Sequence, residues 1–110
     1  MKYLITESQR DNVIFKYLDN QDFIQIEEGS SIYFVNSESD EYAQIRYDED
    51  SEVCFINIDL VKEISSFFSL ERSDSKEVIS MWVENTLQMK VTNTTTIGVA
   101  MNKVLRIPSK

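Results

Sequence analysis

Asp48-x-Asp50-x-Glu52 sets three carboxylates at alternate positions, a spacing that could hold a hard cation such as Ca²⁺ or Mg²⁺ through oxygen. An EF-hand loop would continue with Gly at its sixth position and Glu at its twelfth. Here those positions hold Val53 and Asp59, so the loop pattern fails and no metal is expected. The same residues belong to a denser feature. Glu38, Asp40, Glu41, Asp48, Glu49, Asp50 and Glu52 crowd a fifteen-residue stretch that holds one cation, Arg46. Such a stretch either keeps loops solvated or offers a docking patch to a basic partner. Tyr33, Tyr42 and Tyr47 lie close by in sequence and could add aromatic anchors.

Other chemistry has little material. The chain has no His, one Cys and two Gly. A Ser or Cys triad normally takes His as its base. Two glycines cannot build a GxGxxG loop, and GxxxxGK[ST] is absent. One Cys and no His cannot close a zinc site. Cys54 sits among Val53, Phe55 and Ile56 and reads as a buried, inert thiol. A carboxylate-based enzyme is the remaining catalytic option, since two acids can always approach each other in a fold. No cofactor is expected.

Charge is divided along the chain. Before Lys90 there are 7 basic and 19 acidic side chains, net −12; from Lys90 onward there are only four cations, net +4. Overall the net charge is −8, which repels phosphate backbones and anionic lipid at long range. A general nucleic-acid role is disfavoured. An acidic decoy that imitates nucleic acid is the alternative that the same charge allows. The start MKYLITES lacks the apolar run of a signal peptide, and no stretch reaches the length of a membrane span. The expectation is a soluble, cytoplasmic protein without membrane contact.

These side chains need a scaffold, and 110 residues with 42% apolar content suffice for one domain with a real core. Thr6 and Gln9 form a capping-box pattern, and Val13, Ile14, Tyr17 and Leu18 follow at helical spacing, so 7–19 reads as a helix. Strand-like runs follow at 23–26, 31–36, 42–47 and 53–58, joined by short polar links that favour antiparallel pairing. In 42–47, Tyr42, Gln44 and Arg46 alternate with Ala43, Ile45 and Tyr47, which predicts one polar and one apolar sheet face. Asp59 then fits an N-cap before the stripe Leu60, Val61, Ile64, Phe67 and Phe68. Asp74 and Glu77 form a second capping-box pattern before Val78, Ile79, Trp82 and Val83. Met81 and Met89 flank that stripe as gap fillers.

The expected architecture is α+β: an N-terminal helix, a three- to four-stranded antiparallel meander, and two C-terminal amphipathic helices on one sheet face. Thr92 to Thr96 suits a loop or an edge strand, while Ile97, Ala100, Met101, Val104 and Leu105 sit at helical spacing, so 92–110 is left open as strand, helix or a less ordered basic segment. Lys2 to Gln9 and Trp82 to Asn93 resemble stretches of small proteins encoded by phages, which implies an accessory protein and carries no site residue. The functional expectation is a non-enzymatic acidic module that binds another protein with a basic surface. Its contact residues are read as Tyr42, Arg46, Tyr47, Asp48, Asp50 and Glu52. Self-association through a strand edge is a further option.

Overall fold

Strand β2 (Ser31–Val35) is apolar at four consecutive positions, and the fold follows from burying both of its faces. The computed structural model describes residues 7–37, 39–98 and 102–104. In chain order the elements are α1 (Glu7–Asp19), β1 (Ile24–Glu28), β2, β3 (Ile45–Asp48), β4 (Val53–Asn57), α2 (Ile58–Phe68), α3 (Arg72–Leu87) and β5 (Asn93–Ile97). This is the expected α+β class. The Thr6 cap lies outside the described residues.

The sheet has five strands in the order β1-β2-β3-β4-β5. Strands β1 to β4 form the antiparallel meander. β5 departs from expectation: it returns parallel to β4, with Val53 opposite Asn93 and Asn57 opposite Ile97. The Thr run suits a pleated, half-buried position, and two helices give a connection long enough for a parallel return. The two helices after β4 are thus a crossover, not the end of the fold.

One sheet face carries Ile32, Phe34, Ile45, Tyr47, Cys54 and Ile56 against Ile14 and Leu18 of α1, Leu60, Val61 and Ile64 of α2, and Val78, Ile79, Trp82 and Val83 of α3. Trp82 is the hub of this layer. Its ring meets Phe34 and Phe23 at centroid distances of 5.4 and 5.8 Å, and its Nε1 donates to Asp19 Oδ1 at 2.9 Å. A buried indole thereby satisfies its one donor.

The second face is not the polar surface the alternation predicts. Tyr33, Val35, Ala43 and Val104 are buried there, with Ile24 and Ile26 packed against them. Continuous apolar runs mark strands covered on both sides. The cover includes Asn102–Val104: Ala43 N donates to Asn102 O at 2.9 Å, and Val104 N donates to Glu41 O at 2.8 Å. The expected strand over 42–47 shortens to Ile45–Asp48, because Ala43 packs with the second face and the alternation breaks at Gln44.

Helix starts also differ. Asn57, not Asp59, caps α2: its Oδ1 accepts from Asp59 N at 2.9 Å. Asn57 is buried at the end of β4, so it is held where the first free amide points. α3 begins at Arg72, with Glu71 at the cap making no side-chain bond there, so the Asp74 pattern falls inside the first turn. Phe67, Met81 and Met89 are exposed rather than core. Phe67 lies at the end of α2, where its ring meets Tyr17 and Phe68 at 5.1 and 5.0 Å.

The cap assignment is testable. Asn57→Ala should cost about 1–2 kcal/mol in chemical denaturation, whereas Asp59→Ala should cost clearly less. Equal losses would refute Asn57 as the cap.

Candidate functional site

Register decides which acids meet. Glu28 pairs with Ser31, Ser31 with Asp48, and Asp48 with Val53. The β1–β2 turn (Gly29, Ser30) and the β3–β4 turn (Glu49 to Glu52) therefore lie side by side at one end of the sheet. Gly29 takes φ +61°, a left-handed position that suits glycine at the head of a two-residue hairpin. Glu49 N donates to Ser30 O at 2.8 Å and ties the turns together.

Asp48 is the brace of this end. It accepts hydrogen bonds from Ser51 Oγ at 2.5 Å and from Ser30 Oγ at 3.2 Å. The Ser51 bond above all holds its carboxyl below the ordinary range; Ser30 and the amides of Asp50 and Ser51 reinforce this, and partial burial opposes it. Glu52 adopts φ +58°, and its carbonyl accepts from Thr92 N at 2.8 Å and Thr92 Oγ1 at 3.2 Å. That contact fixes the chain entering β5. Around the braced turns, Glu27, Glu49 and Asp50 are exposed, and Glu28 and Glu52 are half-buried. None of these five makes an ion pair with a described residue.

The other acidic loop lies elsewhere. Successive turns of a meander alternate between sheet ends, so Asp40 and Glu41 lie at the far end; Glu38 is outside the described residues. Asp40 accepts from the amides of Asn36 and Ser37 at 3.0 and 2.9 Å and serves its own turn. The two acidic loops therefore do not form a joint surface.

The six expected contact residues separate in the same way. Tyr42 is 38% exposed at the far end, where it bridges to Lys103. Tyr47 is only 2% exposed and lies in the main core, its hydroxyl donating to Lys90 O at 2.6 Å. Burial pushes that phenol above its ordinary pKa, with Glu52 and Glu49 adding to the effect. A side chain so enclosed offers no contact area to a partner. Arg46 occupies the second sheet face, its guanidinium 4.2 Å above the Phe55 ring, with Nε buried and without a hydrogen-bond partner. Asp48 is spent on the turn. Asp50 and Glu52 remain at the acidic end.

Glu27, Glu28 and Glu49 join them there, and sequence reasoning left them out of the contact set. For Glu27 and Glu28 the available signal was Gly29-Ser30: a two-residue hairpin puts the end of the preceding strand beside its turn. Among the described residues, no group of three or more His, Cys, Asp or Glu is placed to hold a metal ion. Cys54 is fully buried, and burial pushes its thiol up to about 12. It is protonated at neutral pH. Two wide grooves border α3: one of about 500 Å³ between α1 and α3, and one of about 430 Å³ between α3 and β5.

No described helix is long and apolar enough to cross a membrane. No family model matches the chain, and no curated protein and no solved structure matches it.

The brace has a pH signature. A carboxyl whose folded pKa is depressed stabilises the fold above its unfolded pKa, and the contribution is lost as pH falls through the folded value. Asp48→Ala should cost about 1–2 kcal/mol at neutral pH, and the gap from the parent should narrow as acid protonates the parent carboxyl. A pH-independent gap in urea titrations would refute the ionised brace.

Proposed function

We propose that this domain is a non-enzymatic binding module that receives a basic protein surface on the acidic end of its sheet. One observation carries the reading: the register brings Glu27, Glu28, Glu49, Asp50 and Glu52 to two adjacent turns, and none of them makes an ion pair with a described residue. Unpaired like charge costs folding stability through self-repulsion. A cationic partner relieves that cost on docking and gains orientation from the field.

The scaffold supports the role. Asp48 and Gly29 fix both turns, so the carboxylates are presented on a rigid platform. Thr92 Oγ1 also reaches Ser51 O at 3.4 Å, which draws the 89–92 segment against the platform. Met89, 37% exposed, supplies apolar area on the segment that joins α3 to β5. Interfaces built on charge gain mainly in association rate and specificity, and apolar contacts at their edge slow release. The absence of His and the protonated state of Cys54 favour recognition over acid–base or nucleophilic catalysis.

The test uses Glu27→Lys, Glu49→Lys and Asp50→Lys together, since all three side chains are exposed and none braces a turn. An arginine- and lysine-rich peptide serves as probe in titration calorimetry. The parent should bind it, more weakly as salt rises, and the triple variant should lose at least about tenfold in affinity, or about 1.4 kcal/mol, with an unchanged melting temperature. Equal binding by the variant would remove the proposal. Capture of a DNA-binding protein that duplex DNA displaces would instead favour an acidic decoy.

A further inference from the structure

Strand β5 is an edge of the sheet, and no described residue pairs with its outer side. The free N–H and C=O groups of an edge are a template for another strand, and proteins usually block them with Lys, Pro, a bulge or an inward charge. Asn93-Thr94-Thr95-Thr96-Ile97 contains no Lys, Pro or charge, and it runs in unbroken register with β4. The opposite edge is built differently. β1 carries Glu27 and Glu28, so a β1 strand laid against its own copy would crowd carboxylates into one short ladder.

We infer that β5 is a self-association edge and that its occupant is a second copy of this chain, the two β5 strands running antiparallel about a two-fold axis at Thr95. Thr95 then faces Thr95 of the second copy, and Thr94 faces Thr96. Cross-strand Thr pairs are favourable in antiparallel sheets. A two-fold contact is self-complementary by construction, and β5 meets that demand because it has no charge to oppose itself.

The charge map fits this arrangement. No Asp or Glu follows Glu84, and no charged residue lies between Lys90 and Lys103. The edge is the least acidic part of a chain with net charge −8. Register places Asn93 beside Val53, so the acidic turns lie at the N-terminal end of β5. Antiparallel pairing sends the two acidic ends to opposite ends of the joined sheet. They are separated by at least the strand length, about 16 Å at roughly 3.3 Å per residue, against a screening length of about 8 Å. Parallel pairing would set them side by side.

The groove between α3 and β5 adds a second contact. It is lined by Ser73, Lys76, Glu77 and Ser80 with Thr92 and Thr94. In the two-fold pair, both α3 helices lie on the same face of the joined sheet and look across this groove. Lys76 and Glu77 make no ion pair with another described residue, so the two signs can pair reciprocally across the axis.

Sedimentation velocity tests the inference. The parent should show a concentration-dependent dimer. Thr95→Lys and Thr95→Glu set like charges at the axis, so each alone should be monomeric; mixed, they should recover the dimer. Gln25→Lys, on the exposed side of β1, should leave the dimer intact. Far-UV circular dichroism and Trp82 emission report whether each variant is folded. If the Thr95 variants unfold, Asn93→Lys and Asn93→Glu at the exposed strand end take their place; each should weaken the dimer. A parent that stays monomeric, folded edge variants that keep the parent dimer, a Thr95 mixture that stays monomeric, or dissociation by Gln25→Lys would each overturn it.

Discussion

The hydrophobic pattern of β2 cannot set its own register, and the rest of the structure depends on what does. A strand with one apolar face pays heavily for a one-residue slip, because every core side chain would turn to solvent. β2 is apolar on both faces: Ile32 and Phe34 on one side, Tyr33 and Val35 on the other. A slip would exchange one apolar pair for another. Register must therefore come from its neighbours and turns. Gly29 closes the hairpin to β1 in two residues through its left-handed φ. Asp48 binds Ser30 across the β2–β3 pair and Ser51 within the next turn. β3 adds chemical asymmetry, since Arg46 lies between Ile45 and Tyr47 and is set on the second face over the Phe55 ring.

The same device explains the electrostatic shape. A carboxylate used as a hydrogen-bond brace must stay ionised, and Asp48 does so because donors surround it. Its neighbours Glu49 and Asp50 are not used in this way and project outward. Fold stability and surface charge thus come from adjacent residues with opposite duties. Tyr47 lies directly beneath this end, and its hydroxyl reaches the Lys90 carbonyl. Through that bond the core under the turns is tied to the segment that leads into β5. The acidic platform, the crossover and the parallel strand form one connected unit.

Much of the scaffold was legible because its signals are local. α1 and the strands β1, β2 and β4 follow from apolar spacing and turn residues, and their bounds differ from the sequence reading by a residue or two. What failed was decided at long range. Asn57 and Asp59 are both good caps by type; only the burial of Asn57 at the end of β4 selects it. The Thr run of β5 has no periodicity to read, and its partner β4 lies on the far side of two helices. The contact set suffered most. Tyr47 and Asp48 are adjacent in sequence, yet alternation sends one into the core and the other to the turn. Tyr42 shares their segment but belongs to the other sheet end. Proximity in sequence was the wrong measure, because a meander interleaves its ends.

The two surfaces proposed for this chain have opposite requirements. A platform for a basic partner needs concentrated negative charge and no internal neutralisation. An edge that accepts its own copy needs the reverse, since any charge on it meets itself across the axis. The sequence meets both demands by segregation: carboxylates end at Glu84, and β5 is drawn from the uncharged stretch that follows. In three dimensions the separation is only partial, because β5 begins beside the acidic turns. Strand direction completes it. An antiparallel second copy would carry its own acidic end away, so the proposed edge association would leave the proposed platform open to solvent and to a cationic ligand.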